Sequence, residues 1–231
     1  LYRQHATNYE LYAVGLQGSS DLEQAALVAA KMKFPLKLRI ISQNEAMDIV
    51  TDVVTAFKQA DIPCNPMDVA IAAVIYATLL NAQKDHISTV LYGMGMDSLF
   101  AGFDHHTNYK KSFTRETIQK NLWDSLSHVE TTEIPRDQCI AQFTNMNLIT
   151  PFLNEELISY AMQIDPLLKV NEQEKKIILR ETAVHLGIPK DIAMNKKTAA
   201  QYGTGFTQFI KDQAKENGYE RSEDFLNSLS E

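Results

Sequence analysis

The residues best suited to chemistry in this chain lie in three short stretches. Gly93-Met94-Gly95-Met96-Asp97 follows an apolar run, Val90-Leu91-Tyr92, and precedes a segment in which Leu99, Phe100 and Phe103 recur at helical spacing. Two glycines at a strand-to-helix turn let the main chain take angles closed to other residues and let a ligand lie against it, while the first helical turn offers unpaired N–H groups to an anion. Asp97 then stands where a carboxylate could hold a hard cation beside that anion. The same residues also fit a plain tight turn with Asp97 as helix cap. The spacing is not a dinucleotide fingerprint, because the third glycine would fall at Ser98. The second stretch, Asn195 to Gly205, carries Lys196 and Lys197 close to Gly203 and Gly205. It reads either as a flap that closes over a ligand and excludes water or as an ordinary loop with two solvated lysines. Asp104-His105-His106 invites a metal reading, but it lacks a partner aspartate motif and is expected to be a solvated loop.

The elements that must position these residues alternate in the first half. Tyr9–Leu16 and Leu36–Ile41 read as strands, and Asp21 to about Lys33 as a helix after the turn Gln17-Gly18-Ser19-Ser20. Ser42 and Glu45 have capping-box spacing and open a helix through about Gln59, with Ala46, Ile49, Val50, Val53, Val54 and Phe57 on one face. Pro66 opens a further helix that is apolar on nearly every side from Val69 to Leu80, as expected of a helix buried on more than one face. A strand, Thr89–Tyr92, leads into the glycine turn. Strands alternating with helices imply a parallel sheet with ligands at the carboxyl ends of its strands.

After Asp104 the pattern is helical: Arg115–Val129, Arg136–Asn145, Asn154–Ile164, Glu172–Leu186, Gly205–Glu216 and Ser222–Leu229, punctuated by Pro135, Pro151, Pro166 and Pro189. The expected organisation is a nucleotide-binding α/β part at 1–104 and a helical part at 105–231, packed as one compact domain. Leu1 to Ala6 reads as the tail of a helix, so an upstream strand is expected, since parallel sheets grow by strand–helix–strand units.

With 22 basic and 29 acidic side chains the net charge is −7 and the pI about 5.4, which argues against a broad nucleic-acid footprint. Cys64 and Cys139 fit neither a disulfide framework nor a zinc site, so a reducing, cytoplasmic setting is expected. No apolar run of membrane-spanning length is evident, and a soluble protein is expected.

Three stretches together resemble the synthetase domain of asparagine synthetases, in the ATP pyrophosphatase superfamily. "YAVGLQGSSDL" is similar to the family's Val-Gly-Leu-x-Gly-Ser-x-Asp-Leu, "GMGMDSLFAGF" to its Gly-x-Gly-x-Asp-Glu-x-Phe-x-Gly-Tyr, and "TPFLNEEL", "EKKIILRE" and "NKKTAAQYGTG" to its Pro-Phe-Leu-Asp, Glu-Lys-x-x-Leu-Arg and lysine-bearing segments. Small archaeal relatives without a glutaminase domain are the most similar type. The resemblance implies an α/β fold of the adenine nucleotide alpha hydrolase type and a ligase that cleaves ATP to AMP and pyrophosphate. It implies that Val14, Gly15 and Leu16 line the adenine pocket, that Gly93 and Gly95 lie against the nucleotide, and that Asp97 binds magnesium beside the pyrophosphate. Lys197 then touches the α-phosphate, and Glu174 with Lys175 organises the site. The implied substrates are ATP, a small carboxylate such as aspartate, and ammonia, free or from a separate glutaminase partner. Oligomeric state, a homo-oligomer included, is left open.

The chain departs from that pattern in specific places. The phosphate loop Ser-Gly-Gly-x-Asp-Ser is absent, and is expected upstream of Leu1. Met94 stands where the family has Glu or Gln, and a thioether is only a weak acceptor. Ser98 replaces the Glu after Asp97, Ile149 an arginine, and Asn154 an aspartate. These changes leave two alternatives beside asparagine synthesis: a ligase for another carboxylate, or a non-catalytic paralogue that binds a nucleotide or a partner.

Overall fold

In the computed structural model, residues 9–106, 113–195 and 199–229 are described. The chain divides into two compact units. The first comprises residues 1–90, 136–147 and 197–231, the second residues 91–135 and 148–196, so both halves of the sequence contribute to both. The helix tail expected at Leu1–Ala6 lies outside the described residues.

In the first unit, β1 (Leu11–Leu16) pairs in parallel with β2 (Leu36–Ile41), with Leu11 opposite Leu36 and Leu16 opposite Ile41. The crossover between them is α1 (Ser20–Met32), which ends at Lys33 in the left-handed region (φ 54°). The parallel sheet expected from the alternation is present, but it has only these two strands among the described residues. Two helices follow, each starting where the sequence pattern places it. Ser42 Oγ accepts the Glu45 N–H while the Glu45 carboxylate takes the Ser42 N–H, opening α2 (Gln43–Gln59). Asn65 Oδ1 accepts the Met67 N–H ahead of α3 (Pro66–Lys84), with proline at the position where a missing N–H costs nothing.

Helix α3 is the one described helix long and apolar enough to cross a membrane by length and composition. Here it is a core helix: it packs on β1 and α2 and buries Val69, Ala70, Ala73 and Leu79 completely. The unit is completed by α6 (Ile134–Phe143, from Arg136 onward), α10 (Ala200–Gly203), α11 (Phe206–Glu216) and α12 (Ser222–Ser228). Arg136, 5% exposed, holds Asp137 at 2.7 Å and Asp68 at 3.0 Å, so its charge is matched inside the unit.

The second unit begins beyond β3 (Thr89–Leu91) and carries α4 (Met96–Leu99), α5 (Arg115–His128), α7 (Glu155–Gln163), α8 (Ile177–His185) and α9 (Lys190–Ala193). β3 pairs with β4 (Asn147–Ile149), a strand that the sequence pattern did not announce. Leu99, Phe100, Ile118, Leu122, Ala161 and Val170 form the unit's core.

Two expectations are corrected. Pro135 does not break the helix before it: α5 runs through a π-helical turn, Val129–Glu133, into α6. A widened turn accommodates the ring and the missing N–H, which would disrupt a regular α-helix. The helix expected at Glu172–Leu186 starts only at Ile177. Asn171 Oδ1 accepts the N–H groups of Gln173 and Glu174, Val170 bridges Lys175, and Lys176 sits at φ 56°, so a tight hairpin replaces the first helical turn.

Lys169, beside that hairpin, is fully buried, and its Nζ has no hydrogen-bond partner among the described residues. Burial lowers its pKa to about 8 from 10.5. The unfolded chain therefore binds more protons between those values, and this side chain makes stability rise with pH across that window and cost stability below it. Urea denaturation at pH 7.5 and at pH 10 should show Lys169→Met more stable than wild type at the lower pH, with the difference shrinking at the higher.

Candidate active site

Within the first unit, the predicted residues Val14, Gly15 and Leu16 occupy the carboxyl end of β1. Val14 and Leu16 are buried, 4% and 7% exposed. Gly15 is required by crowding, since a Cβ there would lie 2.4 Å from Ser19 Oγ and 3.3 Å from Leu22. The turn that follows is closed by the Ser19 N–H to the Leu16 carbonyl, 3.0 Å, with Gly18 at φ 76°. The stretch expected as a flap behaves in two ways. Residues 196–198, Lys197 among them, lie outside the described residues. Residues 199–205 are not an open loop: α10 docks on this strand end, where the Leu16 N–H bonds the Thr204 carbonyl at 2.9 Å. The Asp21 carboxylate abuts Gly203 so closely that a Cβ would meet Oδ1 at 1.9 Å.

Within the second unit, Gly93, Gly95 and Asp97 form the turn from β3 into α4. Gly95 has φ 90° and caps α4, and a Cβ on it would lie 2.5 Å from Leu153 Cδ2, so both conformation and space demand glycine. Met94 is buried, with the Tyr92 hydroxyl 3.4 Å from its sulfur. Asp97 faces Lys176: Oδ1 and Nζ are 2.7 Å apart, with the side chains 21% and 13% exposed. Gly102 makes room for this pair. A Cβ there would fall 1.8 Å from Asp97 Oδ1 and 2.3 Å from Lys176 Cε.

Lys175 points elsewhere, to the exposed carboxylate of Asp104, whose pKa it lowers. Such a surface pair adds little stability. Glu174 is exposed and takes part in the Asn171 hairpin through its main chain. Sequence reasoning missed Lys176 and Gly102. The signal for Lys176 was present, because in Lys-x-x-Leu-Arg the lysine three positions before Leu179 is Lys176.

The Asp104-His105-His106 stretch is a 3-10 turn in which Asp104 and His105 are exposed, as expected of a solvated segment, but His106 is not. His106 is fully buried, its Nδ1 accepts the Phe103 N–H at 3.3 Å, and its Nε2 lies 3.0 Å from Ser125 Oγ. With Nδ1 accepting, the ring proton is on Nε2 and is donated to the hydroxyl. Burial, with His105 adding, lowers its pKa to about 4, so the ring is neutral at ordinary pH.

Among the described residues, no group of three His, Cys, Asp or Glu is placed to hold a metal by itself. A single carboxylate such as Asp97 suits instead a magnesium ion that arrives with phosphates, since Mg2+ is commonly held by one or two carboxylates and substrate oxygens.

The asparagine synthase family model matches residues 1–142 and 110–227. The chain belongs to the asparagine synthase family. It is 28% identical to the "Putative asparagine synthetase (glutamine-hydrolyzing) 1" of Methanocaldococcus jannaschii, over 95% of this chain and 46% of that protein. It is 26% identical to asparagine synthetase B (glutamine-hydrolyzing) of Escherichia coli K12, over 85% and 34% respectively, and 24% identical to asparagine synthetase (glutamine-hydrolyzing) 1 of Arabidopsis thaliana, over 89% and 36%. The chain thus spans less than half the length of these asparagine synthetases.

Gly93, Gly95 and Gly102 should separate in a stability test. Gly93 has only the flexible tip of Met96 near a built Cβ, at 3.1 Å. Gly93→Ala should change the urea midpoint little, whereas Gly95→Ala and Gly102→Ala should each cost roughly 1–3 kcal/mol through overpacking or strain. Equal effects at all three would contradict the crowding.

Proposed function

We propose that this chain is the synthetase part of an ATP-dependent, AMP-forming amide ligase that adenylates a carboxylate and transfers it to ammonia, with aspartate and asparagine as the first substrate–product pair to test. The observation that carries the reading is the Asp97–Lys176 pair at the Gly93-x-Gly95 turn, in a chain of the asparagine synthase family. A carboxylate beside an ammonium suits an Mg–nucleotide: Asp97 supplies oxygen to the magnesium that ATP carries, and Lys176 supplies positive charge close to it.

A carboxylate oxygen of the acid attacks the α-phosphorus, and the bond to pyrophosphate breaks. Negative charge grows on the non-bridging oxygens, where fixed ammonium groups stabilise it without reorganising. Lys197 is proposed for that role, Lys176 for a share in it, and Lys175 and Glu174 as organisers of the surrounding charge. Val14, Gly15 and Leu16 receive the adenine, and Gly93 and Gly95 admit the phosphates. Ammonia then adds to the acyl-adenylate carbonyl, AMP leaves, and the proton released goes to water, because the Met94 thioether cannot take it. The ammonia is free or delivered by a glutaminase partner, and the setting is cytoplasmic.

One observation favours a second reading. Met94, Ser98 and Ile149 are neutral where the family pattern has Glu or Gln, Glu and Arg, and Ile149 is 46% exposed instead of forming a polar clamp. This leaves room for an acid other than aspartate, or for a paralogue that binds without turnover.

The full-length protein with ATP, Mg2+, aspartate and ammonia should release one pyrophosphate and one AMP per asparagine, and Asp97→Asn and Lys197→Ala should each slow this by roughly 100-fold or more. Turnover with a different acid only would move the substrate. ATP binding without pyrophosphate release for any carboxylate would overturn the ligase reading.

A further inference from the structure

Arg180 lies in the first turn of α8 and is half-buried. Its guanidinium is spent on main-chain carbonyls. Nε donates to Lys175 at 3.1 Å, and Nη1 donates to Ala193 at 2.9 Å and to Asn195 at 3.0 Å. Its own N–H donates to the Lys176 carbonyl at 2.9 Å. Main chain and side chain of one residue therefore hold the carbonyls on both sides of the Lys175–Lys176 peptide. The same side chain holds the end of α9, from which the chain runs directly into Lys196 and Lys197.

We propose that Arg180 is a positioning residue that sets two segments at once, the hairpin end that carries Lys175 and aims Lys176 at Asp97, and the main chain at Ala193 and Asn195 beyond α9. Lys176 needs such support, because φ 56° is a conformation that a non-glycine residue holds only when its neighbours enforce it. Ala193 and Asn195 need it as well, because carbonyls at and just beyond a helix end have no partner inside the helix. Arginine is suited to the task and lysine is not. A planar fork reaches carbonyls in two segments simultaneously, whereas an ammonium is a single point with a freely rotating stem. The chemical role of the two lysines rests on the proposed ligase function, but the mechanical role of Arg180 does not.

The test uses Arg180→Gln and Arg180→Lys in the full-length protein, with two independent readouts. Under native conditions, tryptic cleavage after Lys175 and Lys176, followed by fragment mass, should accelerate roughly tenfold or more in Arg180→Gln, in line with the loss of hydrogen bonds to a charged donor. Arg180→Lys should recover only part of the protection, and cleavage at Lys31, Lys120 and Lys215 should stay near the wild-type rate. In turnover, the same variants should lower kcat more than they raise the KM for ATP, because displaced lysines lose transition-state contacts first. Unchanged cleavage at Lys175 and Lys176, or equal acceleration at every site, would overturn the positioning role. A wild type that releases no pyrophosphate would overturn the ligase reading and leave the cleavage result to decide on Arg180.

Discussion

An ion pair that is four-fifths removed from water, Asp97 to Lys176, dictates what the chain around it must be. Two charges taken out of water lose hydration worth several kcal/mol each, and only a short, well-oriented contact returns it. That geometry has to be imposed from both sides. On the aspartate side, Gly95 at φ 90° turns the chain into α4, and Gly102 donates its N–H to the Asp97 carbonyl at 2.7 Å while leaving the space that a Cβ would fill. On the lysine side, the Asn171 turn and the Val170–Lys175 bridge delay the start of α8 and place Lys176 in a left-handed conformation. Had the helix begun at Glu172, as its composition suggests, Lys176 would have been an ordinary helical lysine one turn in.

The first unit solves a different problem with similar means. Its candidate site is the end of a strand, and the residues there are small or buried: Gly15 against Ser19, and Gly203 against Asp21. Burial of Val14 and Leu16 by α3 and α10 fixes the strand end, and the Leu16–Thr204 hydrogen bond fixes the segment that follows residues 196–198. Backbone that is tied down at such an end has less conformational freedom left to lose in any binding event there.

How far this was legible in the sequence depended on how local the signal was. The Ser42–Glu45 capping box and the Pro66 helix start are nearest-neighbour effects and the first two strands are short local patterns, and each formed close to where its residues indicated. The π-helical turn before Pro135 and the hairpin at 170–176 were not legible. In both, a helical composition is overruled, once by a proline that the chain accommodates by widening and once by an asparagine that captures two N–H groups. Strand β4 escaped notice because three residues carry too little alternation to stand out. At the candidate site, spacing drew attention to Gly93, Gly95 and Asp97 but fitted a plain turn equally well, and the resemblance to asparagine synthetases singled them out. Lys176 was passed over for its neighbour although its spacing to Leu179 marked it, and Gly102 because its necessity comes from an ion pair whose lysine is distant in sequence. His106 looked like a solvated residue for the same reason, since its partner Ser125 lies 19 positions further on.

The central claim is that a carboxylate oxygen attacks the α-phosphorus of ATP at this site. Isotope transfer tests it most directly. With aspartate labelled by 18O in its side-chain carboxylate, ATP, Mg2+ and ammonia, the account predicts one labelled oxygen in the phosphoryl group of each AMP formed, in equal number with asparagine. Unlabelled AMP, or ADP in its place, would contradict adenylation and remove the chemical reason for the arrangement around Asp97 and Lys176.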